Sequence, residues 1–112
     1  MSIMKSFIEG ETISKEGEKS RGLIILVEGV IGIFKGDKKI TEFNKEGTIL
    51  GEISMILNRP HTASIKAISD VKVMILGGSL EDIIKQYPAY SIKIMKSLAE
   101  RLVKTSDLYA NN

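Results

Sequence analysis

Cysteine and tryptophan are absent, histidine occurs once, and aromatics make up only 5% of the 112 residues. With no thiol there is neither a disulfide framework nor a thiolate metal site, which fits a reducing cytoplasm. A lone histidine, His61, leaves no imidazole cluster for a catalytic metal, so a metalloenzyme of cupin type, which needs several histidines and a carboxylate, is disfavoured. No apolar run approaches the ~20 residues of a membrane span, and the opening MSIMKSFIEG lacks the apolar stretch of a signal peptide. Charge of one sign is scarce too. The formal net charge is +2, and Lys and Glu are interspersed without basic blocks, which argues against a nucleic-acid face. No membrane or nucleic-acid partner is expected.

What remains is an ordinary globular composition, 43% hydrophobic and 27% charged, in a chain long enough to hide roughly two-thirds of its extended surface. One domain over residues 1–112 is expected. Short β-rich segments separated by glycine-containing turns recur up to Leu76: GLIILVEG, VIGIFKGDKKITEFNKEG, HTASIKAI and DVKVMIL. This spacing implies an all-β barrel or sandwich over residues 7–76, with Gly36-Asp37 turning the clearest hairpin. Gly10, Gly17, Gly29 and Gly47 read as turn residues.

At Gly77-Gly78 the apolar period changes from two to about three and a half. Ser79 is a good N-cap followed by Glu81 and Asp82, and Pro88 is suited to open a second helix, so two helices are expected within residues 79–109. Along the longer one, Ile92, Met95, Ala99, Leu102, Ser106 and Tyr109 form one seam, with Ile94, Leu98 and Leu108 beside it. A seam of that spacing implies pairing of two chains.

The chemistry concentrates in GEISMILNRPHTASIKA, from Gly51 to Ala67. A Gly-Glu step before a short apolar run can form a helical turn whose free N–H groups suit an anion, typically phosphate. Glu52 beside it would repel phosphate but accept a sugar hydroxyl. A cation, best an arginine with its planar fork, would complete such a site.

These residues resemble the phosphate-binding cassette of the cyclic-nucleotide-binding domains found in bacterial catabolite activators and in cAMP- and cGMP-dependent kinases. FIEGETISKEGEKSRGLIILVEGVIGIF is similar to the opening strands of that family, and the two closing helices resemble its last two. The resemblance implies a double-stranded β-helix, a jelly-roll-like β-roll, followed by two C-terminal helices. It further implies a regulatory, non-enzymatic module with cAMP or cGMP as ligand and no other cofactor. The ligand would be held by Gly51, Glu52, Ile53, Ser54, His61, Thr62 and Ala63, with Thr62 placed for guanine contact. Thr105 and Ser106 occupy the place of a pair that contacts the adenine from its own subunit and from the dimer partner.

One position departs from the pattern. The family has arginine directly after the proline, and here Pro60 is followed by His61. Three readings are open: a phosphate donor whose charge switches near pH ~6.5, a loop side chain in a pocket that binds nothing, or a metal ligand or base. Exchanging a bidentate guanidinium for imidazole forgoes about 1.5–3 kcal/mol, so any cyclic nucleotide is expected to bind weakly. Glu52, Thr62 and the Thr105-Ser106 pair have bland readings as well, as a first-turn carboxylate, a β-branched strand residue and polar residues near a helix end. The competing function is a degenerate module that binds no nucleotide and acts through dimerisation or a protein partner. The helix-turn-helix of a catabolite activator would follow the long helix, so the chain is expected to be either a stand-alone sensor working through a partner or a fragment.

Overall fold

In a computed structural model of the chain, the backbone is described for residues 2–110 and the side chains for residues 2–104. Eight strands come first: β1 (Ser2–Phe7), β2 (Thr12–Ser14), β3 (Leu23–Glu28), β4 (Ile31–Lys35), β5 (Lys38–Phe43), β6 (Ile49–Leu50), β7 (Ser64–Ala67) and β8 (Val71–Leu76). One helical turn, α1 (Glu52–Ile56), interrupts them, and α2 (Leu80–Gln86) and α3 (Pro88–Ala110) follow.

The strands form two antiparallel four-stranded sheets, in the orders β1-β8-β3-β6 and β2-β7-β4-β5. This is the expected β-roll. Its core lies between the sheets, where Ile24, Leu26, Ile31, Leu50, Ile65, Ala67, Val71 and Val73 pack together, with Phe7, Ile13, Ile33, Phe43 and Ile75 at the margin. β3 is buried over Leu23, Ile24, Ile25 and Leu26, consistent with its unbroken apolar run and its place between two neighbours. The hairpin of β4 and β5 pairs Lys35 with Lys38 across Gly36-Asp37. Gly36 has φ 58, which places glycine at the first central position of a two-residue turn.

The roll opens earlier than residue 7, the start read from the apolar pattern, because β1 runs from Ser2 and pairs with β8 along its whole length. Its residues are exposed up to Ser6, so it buries no apolar stripe that alternation could reveal. An edge strand of this kind is held by its hydrogen-bond ladder. Gly22, at the entrance to β3, has φ 130, and a Cβ there would lie 2.1 Å from the Leu76 carbonyl oxygen. Glycine alone allows β3 and the end of β8 to approach this closely.

The described residues fall into two compact units, one ending at Leu80 and one starting at Glu81. Ser79 immediately precedes α2, which carries Glu81 and Asp82 in its first turn and Lys85 in its last, in the sense that offsets the helix dipole. Along α3, Ile94 is buried, whereas Ile92, Met95, Leu102 and Val103 are 53–69% exposed. Ala99 is exposed as well. Ser106, Leu108 and Tyr109 lie outside the described side chains. Among the described residues no helix is long and apolar enough to cross a membrane.

Candidate functional site

The site begins where β6 ends. Gly51 turns the chain with φ 81 and ψ 6 in the left-handed region and serves as the N-cap of α1. A Cβ at this position would meet the Gly22 carbonyl oxygen at 3.5 Å and His61 Cε1 at 3.7 Å. Both are ordinary contacts, so glycine is needed here for its dihedral freedom and not for space. The turn that follows is inverted relative to a stability-driven helix. Glu52 and Ser54 are buried at 2% and 8% exposure, while Ile53 and Leu57 are 38% and 55% exposed. Burying a carboxylate and a hydroxyl while leaving aliphatics in water costs free energy unless the polar groups are hydrogen-bonded. Such an arrangement makes this turn a candidate site.

After α1 the chain reverses at Asn58, whose φ is 49. The Arg59 N–H donates to the Ser54 carbonyl at 3.0 Å, and the Arg59 side chain is exposed. His61 is then tied to the β2–β3 loop by two backbone bonds: its N–H donates to the Glu18 carbonyl at 2.9 Å, and its carbonyl accepts from the Gly17 N–H at 2.8 Å. Its ring is buried, with Nδ1 3.0 Å from Ser54 Oγ. Either the hydroxyl donates to a bare Nδ1, or Nδ1–H donates to Oγ.

Burial holds the His61 pKa below the usual 6.5, with the Glu18 carboxylate pulling weakly in the other direction. Desolvation penalises the imidazolium, so the ring is neutral at pH 7. The charge switch expected near pH 6.5 therefore moves to lower pH. With Nδ1 engaged by Ser54, the neutral ring has one nitrogen left for any ligand.

Gly51, Glu52, Ser54 and His61 are thus brought together by α1 and the residues that flank it. Ile53 sits on the exposed side of the turn, Thr62 is exposed and Ala63 half-buried. Ser64 at the start of β7 is buried, and its Oγ accepts the Glu16 N–H at 2.9 Å, a second tie to the β2–β3 loop. The Thr105 and Ser106 side chains lie outside the described residues. No group of three or more His, Asp or Glu residues among those described could hold a metal ion.

A cavity of about 320 Å³ opens beside His61 at the β1–β2 edge of the two sheets. Its size is at the lower end for small-molecule pockets. Phe7, Ile13, Ile24 and Ile75 supply the apolar part of its lining, and Lys5, Lys15, Lys19 and Arg21 supply four cations against the single carboxylate of Glu18. Among the described residues expected at the site, only His61 is in this lining. The basic side chains escaped the sequence reading because they are spread over β1 and the β2–β3 loop with no motif to join them. The pairing of His61 with Gly17 and Glu18 is what places that loop against the cassette.

A profile for the cyclic nucleotide-binding domain matches residues 4–87. The cAMP-dependent protein kinase regulatory subunit of Hypocrea atroviridis is 34% identical over 73 residues, which is 65% of this chain and 16% of that protein, so the chain corresponds to a small part of that relative. A solved structure of Sp-2Cl-cAMPS bound to PKAR CBD2 is 30% identical, with a TM-score of 0.63 and coverage of 88% of this chain and 72% of the other. The Thermus thermophilus catabolite activator protein shares the fold at a TM-score of 0.82 and 20% identity, covering 98% of this chain and 54% of the other. The human cGMP-dependent protein kinase 2 is 33% identical over 72 residues, which is 64% of this chain and 9% of that protein. With the profile spanning both sheets and the whole of the Gly51–Ala67 stretch, this chain belongs to the cyclic nucleotide-binding domain family.

Proposed function

We propose that the chain is a regulatory module that binds a cyclic purine mononucleotide, cAMP or cGMP, at the α1 cassette, carries out no reaction on it, and signals through α3 as a homodimer. The observation that supports this reading best is the burial of Glu52 to 2% exposure directly after a left-handed glycine, in a turn that leaves Ile53 outside. A buried carboxylate at that place suits a ribose hydroxyl, which donates to it. The first N–H groups of α1, at Ile53 and Ser54, suit the phosphate oxygens. His61 is neutral and already shares Nδ1 with Ser54, so it adds one uncharged contact at most, and affinity is weak for want of a guanidinium at this position. The exposed seam of Ile92, Met95, Ala99 and Leu102 supports pairing with a second copy.

Calorimetry on the wild type and on Glu52→Gln, with cAMP and with cGMP, tests the ligand. Binding that drops at least about tenfold in Glu52→Gln is expected. The neutral, buried state of His61 favours a second reading, a module that has lost nucleotide binding and acts through dimerisation or a protein partner. That reading takes over if neither the wild type nor a folded His61→Arg variant binds either nucleotide at millimolar concentration.

A further inference from the structure

The cavity beside the cassette is lined by cations of the loop opposite it. Arg59, the one arginine of the Gly51–Ala67 segment, is exposed and is not among the lining residues. Arg21 is in that lining together with His61. It directly precedes Gly22, whose carbonyl oxygen is 3.5 Å from the position of a Cβ on Gly51, so the β2–β3 loop abuts the start of α1. The loop has a defined course. Gly17 and Glu18 are bonded to the His61 backbone, and the Gly22 N–H donates to Ser20 Oγ at 3.2 Å.

The guanidinium of Arg21 is available. Its ion pair is with Glu18 at 3.8 Å, and its side chain is 79% exposed. Exposed pairs of this kind are weak and exchange readily. Lys15 and Lys19 line the same cavity and add charge that a single carboxylate does not neutralise, beside an apolar wall formed by Phe7 and Ile75. A cavity with a cationic rim and an apolar wall suits a phosphate ester carrying a flat or apolar body.

We propose that this cavity is a phosphate-recognition site in which Arg21, reaching across from the β2–β3 loop, supplies the guanidinium that position 61 lacks. The identity of the guest as a cyclic nucleotide rests on the function proposed above, whereas the phosphate site itself is read out separately. An arginine here holds phosphate oxygens by its planar fork, and leaving Glu18 for phosphate exchanges one solvated partner for another.

The test uses the full chain and its Arg21→Gln, Arg21→Lys and His61→Gln variants, titrated with cAMP, cGMP and AMP by calorimetry and by backbone amide shifts. Arg21 is exposed, so its variants are expected to keep the wild-type circular dichroism and melting midpoint. The expected result is cyclic-nucleotide affinity reduced about tenfold or more in Arg21→Gln and partly restored in Arg21→Lys. His61→Gln is expected to weaken it less than Arg21→Gln does, because the neutral ring offers a single uncharged contact. If the wild type binds cAMP or cGMP and Arg21→Gln binds equally well, Arg21 is not the phosphate cation and the inference falls, while the proposed function stands. If the wild type binds neither cyclic nucleotide but AMP shifts the Lys19, Arg21 and Gly22 amides and Arg21→Gln abolishes those shifts, the proposed function falls and the phosphate site stands. If none of the three ligands moves those amides, the phosphate site falls, and the proposed function falls with it only where calorimetry also finds no binding of cAMP or cGMP.

Discussion

The two loops that meet at His61 carry opposite loads. On one side the Gly51–Ala63 segment buries its polar residues Glu52, Ser54 and His61, and its histidine is kept neutral by desolvation. On the other, the β2–β3 loop leaves Lys15, Glu18, Lys19 and Arg21 exposed and charged, and it is fixed by backbone bonds at Gly17, Glu18 and Gly22. One side buries its polar groups in a defined turn, and the other presents exposed, mostly cationic side chains. In the proposed phosphate site, shape recognition falls to the first segment and charge recognition to the second.

The largest effect on this arrangement is expected where the two segments are brought together. Gly22→Ala would place a methyl group 2.1 Å from the Leu76 carbonyl oxygen at a backbone φ of 130. A loss of about 4 kcal/mol or more in urea unfolding, or failure to fold, is expected because neither backbone can yield. Near-wild-type stability would mean that β3 and β8 are not held at this spacing.

Gly51→Ala is expected to cost less, about 1–2 kcal/mol, since the new methyl would make only ordinary contacts and the penalty is that of a left-handed alanine. A cost equal to that of Gly22→Ala would show the cassette to be as crowded as the strand entrance. Comparing the two variants by urea midpoint separates dihedral strain from steric contact.

Acid should expose the histidine. Well above pH 6.5 neither the folded nor the unfolded chain protonates His61, and there its titration leaves stability unchanged. As pH falls through 6.5 the unfolded chain takes up a proton that the folded chain refuses, because burial depresses the folded pKa. Stability is therefore lost from 6.5 downwards, by at most about 1.4 kcal/mol per pH unit, and the loss levels off below the folded pKa. His61→Gln should be the less acid-sensitive protein when urea midpoints are compared between pH 7.5 and 5.0. Parallel curves for the two would show that the ring is solvated in the folded state.

The smallest change is expected at Glu18→Gln. The exposed pair with Arg21 contributes under about 1 kcal/mol, so the melting midpoint should barely move. Histidine proton chemical shifts should show the His61 pKa falling further once the carboxylate that raises it is gone. A rise in that pKa would overturn the placement of Glu18 beside the ring.

Much of this was legible from residue order. The alternating segments gave the strands, Gly36-Asp37 gave the hairpin, and Gly77-Gly78 marked the change to helices, because each is a local property of side-chain period or backbone freedom. The family cassette was legible because its residues are contiguous. β1 was not, since an edge strand exposed from Ser2 to Ser6 needs only a partner's hydrogen bonds and shows no apolar stripe. The lowered pKa of His61 was not legible for a related reason: a pKa near 6.5 belongs to a solvated imidazole, and burial is decided by which segments fold over it.

By itself the sequence determined an all-β region followed by two helices, which follow from periodicity and turn chemistry, and its resemblance to the family added the β-roll and a histidine at position 61 where the family pattern has arginine. Only the tertiary structure decided that Glu52 and Ser54 point inward while Ile53 does not, that His61 is neutral, and that Arg21, forty residues earlier, stands at the same cavity. Antiparallel pairing joins residues far apart in order but close in space, and the electrostatic environment of a buried group is set by those distant neighbours and by the water they exclude.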